Sequence, residues 1–230
     1  MANLVSISRR NIEVKDMPKN DGNVVDDFIS FNYKGREVVM PDSKGSLSKH
    51  FEIGTFYEGH MLYAIEALGK TGVYVDVGAN VGNHSVFFEM FCPSTMVVSF
   101  EPLDWEFSFL VRARDVNELT FDAHEIGLSD KEGEFVTEVG SQTYSIRTTT
   151  LDSFRLDDVA VIKIDIEGME VPALRGMTDT LTRCRPHLFI EAHTKDELIE
   201  QESLLNALGY ARTGRVWNTS PTYEWTHSEK

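Results

Sequence analysis

The sequence predicts an α/β fold: a Rossmann-like, mainly parallel sheet with flanking helices, preceded by an N-terminal β-hairpin and helix extension. Three observations carry this. From residue 73 onward, short buried apolar runs alternate with segments of helical periodicity, the pattern of strand–helix–strand units. A glycine-rich turn, DVGANVG at 76–82, joins the first of these strands to the first helix. Acidic residues then recur at the carboxyl ends of later strands, where open α/β sheets bind their ligands.

Taken in order, residues 1–25 are polar, contain Pro18 and Gly22, and read as a loosely attached arm. Phe28 to Met40 alternates as a hairpin that turns at Lys34-Gly35. GHMLYAIEALG (59–69) spaces Met61, Leu62, Ile65 and Leu68 as one helical face and stops at Gly69. VYVDV is the first core strand, SVFFEMF a helix, and MVVSFE a second strand that ends at Glu101. Residues 104–116 read as a helix and LTFDAHEIGL as a third strand. KEGEFVTEV and the stretch around YSIRTTTL look like short extended pieces. VAVIKIDI is the fourth strand, EVPALRGMTDTL one helix, and HLFIEAH the fifth strand. Thr194 with Glu197 three residues on forms a capping box for a helix that ends near Gly209. ARTGRVWN and TYEWTH pair antiparallel, which brings the sheet to seven strands. Residues 1–50 are therefore expected to be an arm and hairpin packed on a single domain spanning 51–230.

Lys and Arg number 22 against 37 Asp and Glu, a net charge of −15. Such a charge repels phosphate backbones, which disfavours duplex nucleic acid as a partner and suits a small neutral or cationic molecule better. No apolar run approaches the roughly 18 residues that span a bilayer. The first residues lack a cleavable leader pattern, and Cys92 and Cys184 lack metal-type spacing, so a cytoplasmic protein without membrane attachment is expected. A homo-oligomer remains open.

In DVGANVG, Asp76 precedes Gly78, Ala79, Asn80 and Gly82. A dinucleotide fingerprint requires glycine at the position of Asn80, so that backbone can approach a pyrophosphate. A side chain there points away from a diphosphate and toward S-adenosyl-L-methionine, with the loop around its amino-acid end. Asn83, His84 and Ser85 then open a helix whose N–H groups and dipole suit a carboxylate. His84 is expected to cap and pack rather than catalyse. Glu101 lies 23 residues after Gly78, at the next strand end, where a carboxylate can accept both ribose hydroxyls. Pro102 and Leu103 would face the adenine.

IKIDIEG (162–168) places Lys163, Asp165 and Glu167 on alternate positions of an apolar strand, hence on one face until the chain turns. Buried charges there must be paired or used. Lys163 is expected in a structural ion pair, and Asp165 beside the reactive sulfonium.

Together YEGHM (57–61), VYVDVGANVGNHS (73–85), SFEP (99–102), GLSDKEGE (127–134), TTLDSF (149–154), VIKIDIEGMEVPALRGM (161–177) and PHLFIEAH (186–193) resemble the FkbM-type methyltransferase family. The resemblance implies a class I S-adenosylmethionine-dependent methyltransferase fold and O-methylation of a hydroxyl on a sugar, glycan or secondary metabolite. It also implies that Glu58 and the segment before Asp76 fold over the cofactor. By position, Glu125 to Leu128, including Ile126 and Gly127, line the adenine pocket.

A sugar hydroxyl is a poor nucleophile and needs a base or a metal. Candidate catalytic residues are Asp165, Glu167, Glu191 and His193, the last two sharing a side of the fifth strand's end. Either His193 or Asp165 takes the proton, or Asp165, Glu191 and His193 hold Mg2+ or another divalent ion. Trp105 and other aromatics are candidates for stacking on the acceptor. Rival readings are a methyltransferase for a nucleobase or nucleotide, a non-catalytic cofactor-binding module, and an oxidoreductase, the last opposed by the loop spacing.

Overall fold

A computed structural model describes residues 8–11, 27–139 and 142–228. Most of the arm expected at 1–25 lies outside these residues. Its described part, β1 (Ser8–Asn11), pairs antiparallel with β2 (Asp27–Tyr33), which pairs with β3 (Arg36–Pro41) across the Lys34-Gly35 turn. Gly35 has a φ of 80° and Lys34 one of 50°, the left-handed pair that a tight hairpin requires. Two short helices follow: α1 (Ser46–Glu52), which the sequence pattern did not predict, and α2 (Gly59–Ala67).

The Rossmann-like core comprises β4 (Gly72–Val77), α3 (Asn83–Phe91), β5 (Ser94–Phe100), α4 (Asp104–Val116) and β6 (Asp122–His124). Next come β7 (Gly127–Leu128), the hairpin of β8 (Gly133–Val139) and β9 (Gln142–Thr149), and β10 (Val159–Ile164). The chain closes with α5 (Glu170–Arg175), α6 (Thr178–Cys184), β11 (His187–Glu191), α7 (Lys195–Ala207), β12 (Tyr210–Trp217) and β13 (Thr222–His227). Seven strands form the main sheet in the order β12-β13-β11-β10-β4-β5-β6. Strands β6, β5, β4, β10 and β11 run parallel, and β13 is inserted antiparallel between β11 and β12. Strand order reverses between β4 and β10, so a crevice opens at their carboxyl ends.

Alternation along the strands separates two cores. Tyr74, Val97, Val161 and Phe189 face the hairpin β2–β3 and helices α1 to α4, through Phe31, Phe51, Met61 and Phe88. Val75, Val98, Ile162, Ile164 and Trp225 face α5, α6 and α7, through Leu174, Leu181 and Leu205. Tyr33, Phe56, Phe87 and Phe91 interlock edge to face, with centroids 5.1–5.9 Å apart, and seat the N-terminal hairpin on α3.

Two differences from the sequence reading follow from contacts between segments distant in the chain. The expected third strand is split: β6 belongs to the main sheet, whereas β7 turns away to pair with β9. The single helix expected from Glu170 breaks at Gly176, where a Cβ would lie 1.9 Å from the Ser129 carbonyl oxygen. Asp152, from the 3-10 turn Leu151–Phe154, then accepts the free N–H groups of Asp179 and Thr180 at 3.0 and 2.8 Å and restarts the helix as α6. The capping box at Thr194 and Glu197 forms as the spacing requires.

Phe56 is fully buried at the centre of the aromatic cluster. Replacing it by alanine is expected to cost about 3–5 kcal/mol in urea denaturation, without the loss of secondary structure that would indicate a different fold.

Candidate active site

The glycine loop runs directly over the end of β10. A Cβ on Gly78 would sit 1.8 Å from the Asp165 carbonyl oxygen, and its φ is 78°, so glycine is required there on two counts. The N–H groups of Gly78 and Ala79 both donate to the Phe100 carbonyl at 3.0 Å and tie the loop to β5. Asn80 adopts the left-handed region with φ 49°, which asparagine tolerates better than most residues. Its side chain folds back into the protein: Nδ2 donates to Glu106 Oε1 at 2.6 Å, and Oδ1 accepts the Val81 N–H at 2.8 Å.

Beneath the loop lies a buried charge cluster. Lys163 is 2% exposed and Asp76 is fully buried, as their in-register positions on β10 and β4 dictate. Lys163 Nζ donates to the Gly78 carbonyl at 2.9 Å and stands 3.4 Å from Asp76 Oδ1 and 3.8 Å from Asp165 Oδ2. Ser99 Oγ donates to Ser85 Oγ at 2.8 Å, and Ser85 Oγ donates to Asp76 Oδ2 at 2.6 Å. Asp76 Oδ1 receives no hydrogen bond and is held by charge alone. Burial alone would lower the Lys163 pKa, but Asp76 and Asp165 raise it well above the ordinary lysine value. The lysine is therefore a permanent cation, and it holds the Asp165 carboxyl below the usual carboxylate range against the opposing effect of burial.

A cavity of about 520 Å³ opens above this cluster. Gly78, Ala79, Asn80, Asn83, His84, Glu101, Pro102, Leu103, Ile126, Gly127, Asp165 and Glu167, all candidate site residues of the sequence, line it. Glu101 is 4% exposed, and its oxygens accept the N–H groups of Leu103 at 2.9 Å and Asn80 at 2.8 Å. Asp76, Gly82 and Ser85 sit behind the wall rather than in it. Glu58 is likewise behind it: its carboxylate pairs with His84 Nε2 at 2.9 Å, both side chains being 6% exposed. The segment before β4 is tied down instead by Tyr57 and Asn83, which exchange backbone and amide hydrogen bonds at 3.0 and 3.1 Å.

At the other end of the cavity, β10 stops at Ile164, two residues earlier than the sequence pattern suggests. Glu167 then takes a left-handed φ of 54°, so it leaves the face shared by Lys163 and Asp165, and its side chain is 86% exposed at the rim. Glu170 fixes this bend by accepting the N–H groups of Ile166 and Gly168, both at 3.0 Å. Glu191, at the end of β11, is 4% exposed and close enough to Asp165 to share a proton. Burial and the Asp165 charge push its pKa up to about 9, so the proton resides on Glu191 and the negative charge on Asp165. His193 Nε2 lies 3.0 Å from Glu191 Oε2 and 3.4 Å from Glu167 Oε2. The contact with Glu191 is not aligned for a hydrogen bond, and Oε2 of that residue receives none.

Metal binding by Asp165, Glu191 and His193 finds no support. Among the described residues, no group of three His, Cys, Asp or Glu side chains is arranged to hold an ion. Of the three, Asp165 is already paired with the Lys163 ammonium, 3.8 Å away. Trp105 is 41% exposed, packs edge to face on Phe109 and does not line the cavity. Sequence reasoning missed Leu47, Glu106, Met169, Phe135 and Ile146, all of them lining residues. Phe135 and Ile146 face each other across the β8–β9 hairpin and roof the cavity above Gly127. The alternation of Tyr144, Ile146 and Thr148 was the available signal for this roof.

This strand order, with its glycine loop after the central strand and acids at the ends of its neighbours, is a class I methyltransferase fold. A family model for the methyltransferase FkbM domain matches residues 76–211, more than half of the chain. The chain belongs to the FkbM methyltransferase family. It is similar to the crystal structure of the methyltransferase FkbM from Methylobacillus flagellatus KT, with 21% identity and a TM-score of 0.55 over 67% of this chain and 43% of that one. The protein thus spans less than half the length of that relative. An rRNA methylase from Streptococcus thermophilus is similar at 14% identity and a TM-score of 0.51, over 72% of this chain and 92% of that one. No curated protein matches the sequence. Among the described residues, no helix is long and apolar enough to cross a membrane.

Two stability tests follow from the buried charges. Lys163→Met is expected to cost about 3–5 kcal/mol, because it strands Asp76 as an unpaired buried charge, and Asp76→Asn on that background should recover part of the loss. Glu191 keeps its proton to about pH 9 in the folded protein but loses it at the ordinary carboxyl value when unfolded, so its stabilisation fades as pH rises between those points. The melting temperature of the unaltered protein should therefore fall relative to Glu191→Gln as pH is raised from about 5 to about 9. Parallel curves for the two proteins would remove the assigned proton.

Proposed function

We propose that the protein is an S-adenosylmethionine-dependent O-methyltransferase whose acceptor is a hydroxyl of a sugar, a glycan or a sugar-bearing secondary metabolite. The observation that carries this reading is the placement of the ionised Asp165 on the cavity wall, beside the glycine loop and backed by the protonated Glu191.

The cavity suits the cofactor piece by piece. The loop from Gly78 to Asn83 and the start of α3 take the amino-acid end, where backbone N–H groups and the helix dipole favour a carboxylate. Glu101 takes the ribose hydroxyls, and Leu103, Ile126 and Gly127 flank the adenine. Bound there, S-adenosylmethionine supplies an electrophilic methyl group on a cationic sulfonium. The chain's own residues then have three tasks. Asp165 accepts a hydrogen bond from the acceptor hydroxyl, aligns its oxygen with the methyl carbon, and takes the proton as the new C–O bond forms. Lys163 keeps Asp165 ionised beforehand and anchors it to the loop. Glu191 and His193 lead from Asp165 toward solvent: once His193 turns to accept it, the Glu191 proton leaves through His193 to water, and the proton taken up by Asp165 moves onto Glu191, which leaves Asp165 ionised again.

Lys163 is the lining cation among the described residues, and it is committed to Asp76, Asp165 and the Gly78 carbonyl. With Glu101, Glu106, Asp165 and Glu167 around the same space, the cavity favours an uncharged or cationic acceptor over a phosphorylated one.

Incubating the protein with S-adenosylmethionine and a panel of glycosides and hydroxylated metabolites, and scoring a methyl mass gain, tests the reaction. Asp165→Asn should lower the rate about 10²- to 10⁴-fold while still binding S-adenosylhomocysteine. Full activity in the presence of a chelator is expected, and abolition by chelator with restoration by one divalent ion would contradict the base assignment.

A further inference from the structure

Glu106 has no part in the reading above, yet it projects into the cavity from the first turn of α4, beside the carboxylate assigned to the ribose. Two carboxyl groups meet there within hydrogen-bonding reach of each other, and Asn80 bridges them. The Asn80 backbone N–H donates to Glu101 Oε2 at 2.8 Å, and its side-chain Nδ2 donates to Glu106 Oε1 at 2.6 Å. Asn80 also carries the left-handed turn of the glycine loop, so the conformation of the loop and the position of both carboxyls are mechanically linked.

We propose that Glu106 is a positioning residue of the cofactor site, which holds a proton against Glu101 and pins Asn80 so that the loop and the ribose-binding carboxylate are preset for the ligand. This inference rests on the cofactor reading given under the proposed function.

The physical reasoning is one of charge and reach. Glu101 must offer lone pairs to a vicinal diol, and it is already fixed by the N–H groups of Leu103 and Asn80. A second ionised carboxylate at hydrogen-bond distance in a half-dry cavity would repel it, so one of the two keeps a proton. Burial and the Glu101 charge push the Glu106 pKa up to about 8, and the charge on Glu167 across the cavity adds to the shift. Burial raises Glu101 as well, whereas Lys163 below the loop and the two backbone donors favour its ionised form. The proton therefore sits on Glu106 and is donated to Glu101. When Glu106 loses it, the two carboxylates separate, Asn80 follows its acceptor, and the diol loses its preset partner.

The test is calorimetric titration with S-adenosylhomocysteine of the unaltered protein, Glu106→Gln and Glu106→Ala, from about pH 6.5 to about pH 9. The unaltered protein should bind roughly tenfold more weakly for each pH unit above about 8, since one proton is linked to the complex. Glu106→Gln imitates the protonated acid and keeps an acceptor for Asn80, so it should match the unaltered protein at the low end and show a much flatter profile. Glu106→Ala should bind more weakly at every pH, with its fold verified by circular dichroism. A Glu106→Gln profile that tracks the unaltered protein, or full affinity in Glu106→Ala, overturns the role of Glu106 alone. No binding by the unaltered protein at any pH overturns the cofactor reading and this inference with it.

Discussion

Lys163 is a charged amine sealed inside the sheet, and much of the site is arranged around it. Taking such a group out of water costs several kcal/mol unless partners replace its hydration. Here Asp76, Asp165 and the Gly78 carbonyl do so, from three different segments: the end of β4, the end of β10 and the glycine loop. Register between β4 and β10 sets Lys163 opposite Asp76, and the missing side chain at Gly78 lets the loop settle onto the Asp165 backbone. One cation thereby fixes the spacing between the loop that suits a cofactor and the carboxylate that faces an acceptor. It also bears on the chemistry, because its charge, together with a hydrogen bond from Glu191, holds the Asp165 carboxyl below the usual carboxylate range.

Two carboxyl pairs divide the cavity between them. Glu101 with Glu106 lies toward the ribose end, and Asp165 with Glu191 lies toward the reacting end. In each pair burial and the neighbouring acid push one member, Glu106 or Glu191, well above the ordinary carboxyl range. Pushing apart the pKa values of neighbouring acids is how one site offers both an acceptor and a proton store near neutral pH. Both pairs are possible only because burial makes the second charge expensive.

The features legible in the sequence are those set by short-range spacing. Strand and helix alternation, the Lys34-Gly35 turn, the Thr194 capping box, and Gly78, Glu101 and Asp165 could all be placed from local pattern. Features decided by distant pairing could not. The partner of Lys163 lies 87 positions away in the chain and is fixed by sheet register. Glu58 suits a ligand contact by motif, yet it meets His84 because α2 packs against the start of α3. Glu167 follows strand parity on paper, but the strand ends at Ile164 and Glu170 bends the chain, which sends Glu167 to the rim. Glu106 looks like an ordinary acid in the first turn of a helix, and only the fold of the loop brings Asn80 to it. The break at Gly176 was hidden for the same reason, since the crowding atom belongs to Ser129.

The central claim is that one cavity joins a sulfonium cofactor at the glycine loop to an acceptor activated by Asp165. A crystal structure with S-adenosylhomocysteine tests it most directly. The account predicts the ribose hydroxyls on Glu101, the amino-acid end along Gly78 to Asn83, and the sulfur turned toward the Asp165 carboxylate. A ligand whose ribose avoids Glu101, or whose sulfur points away from Asp165, would contradict it.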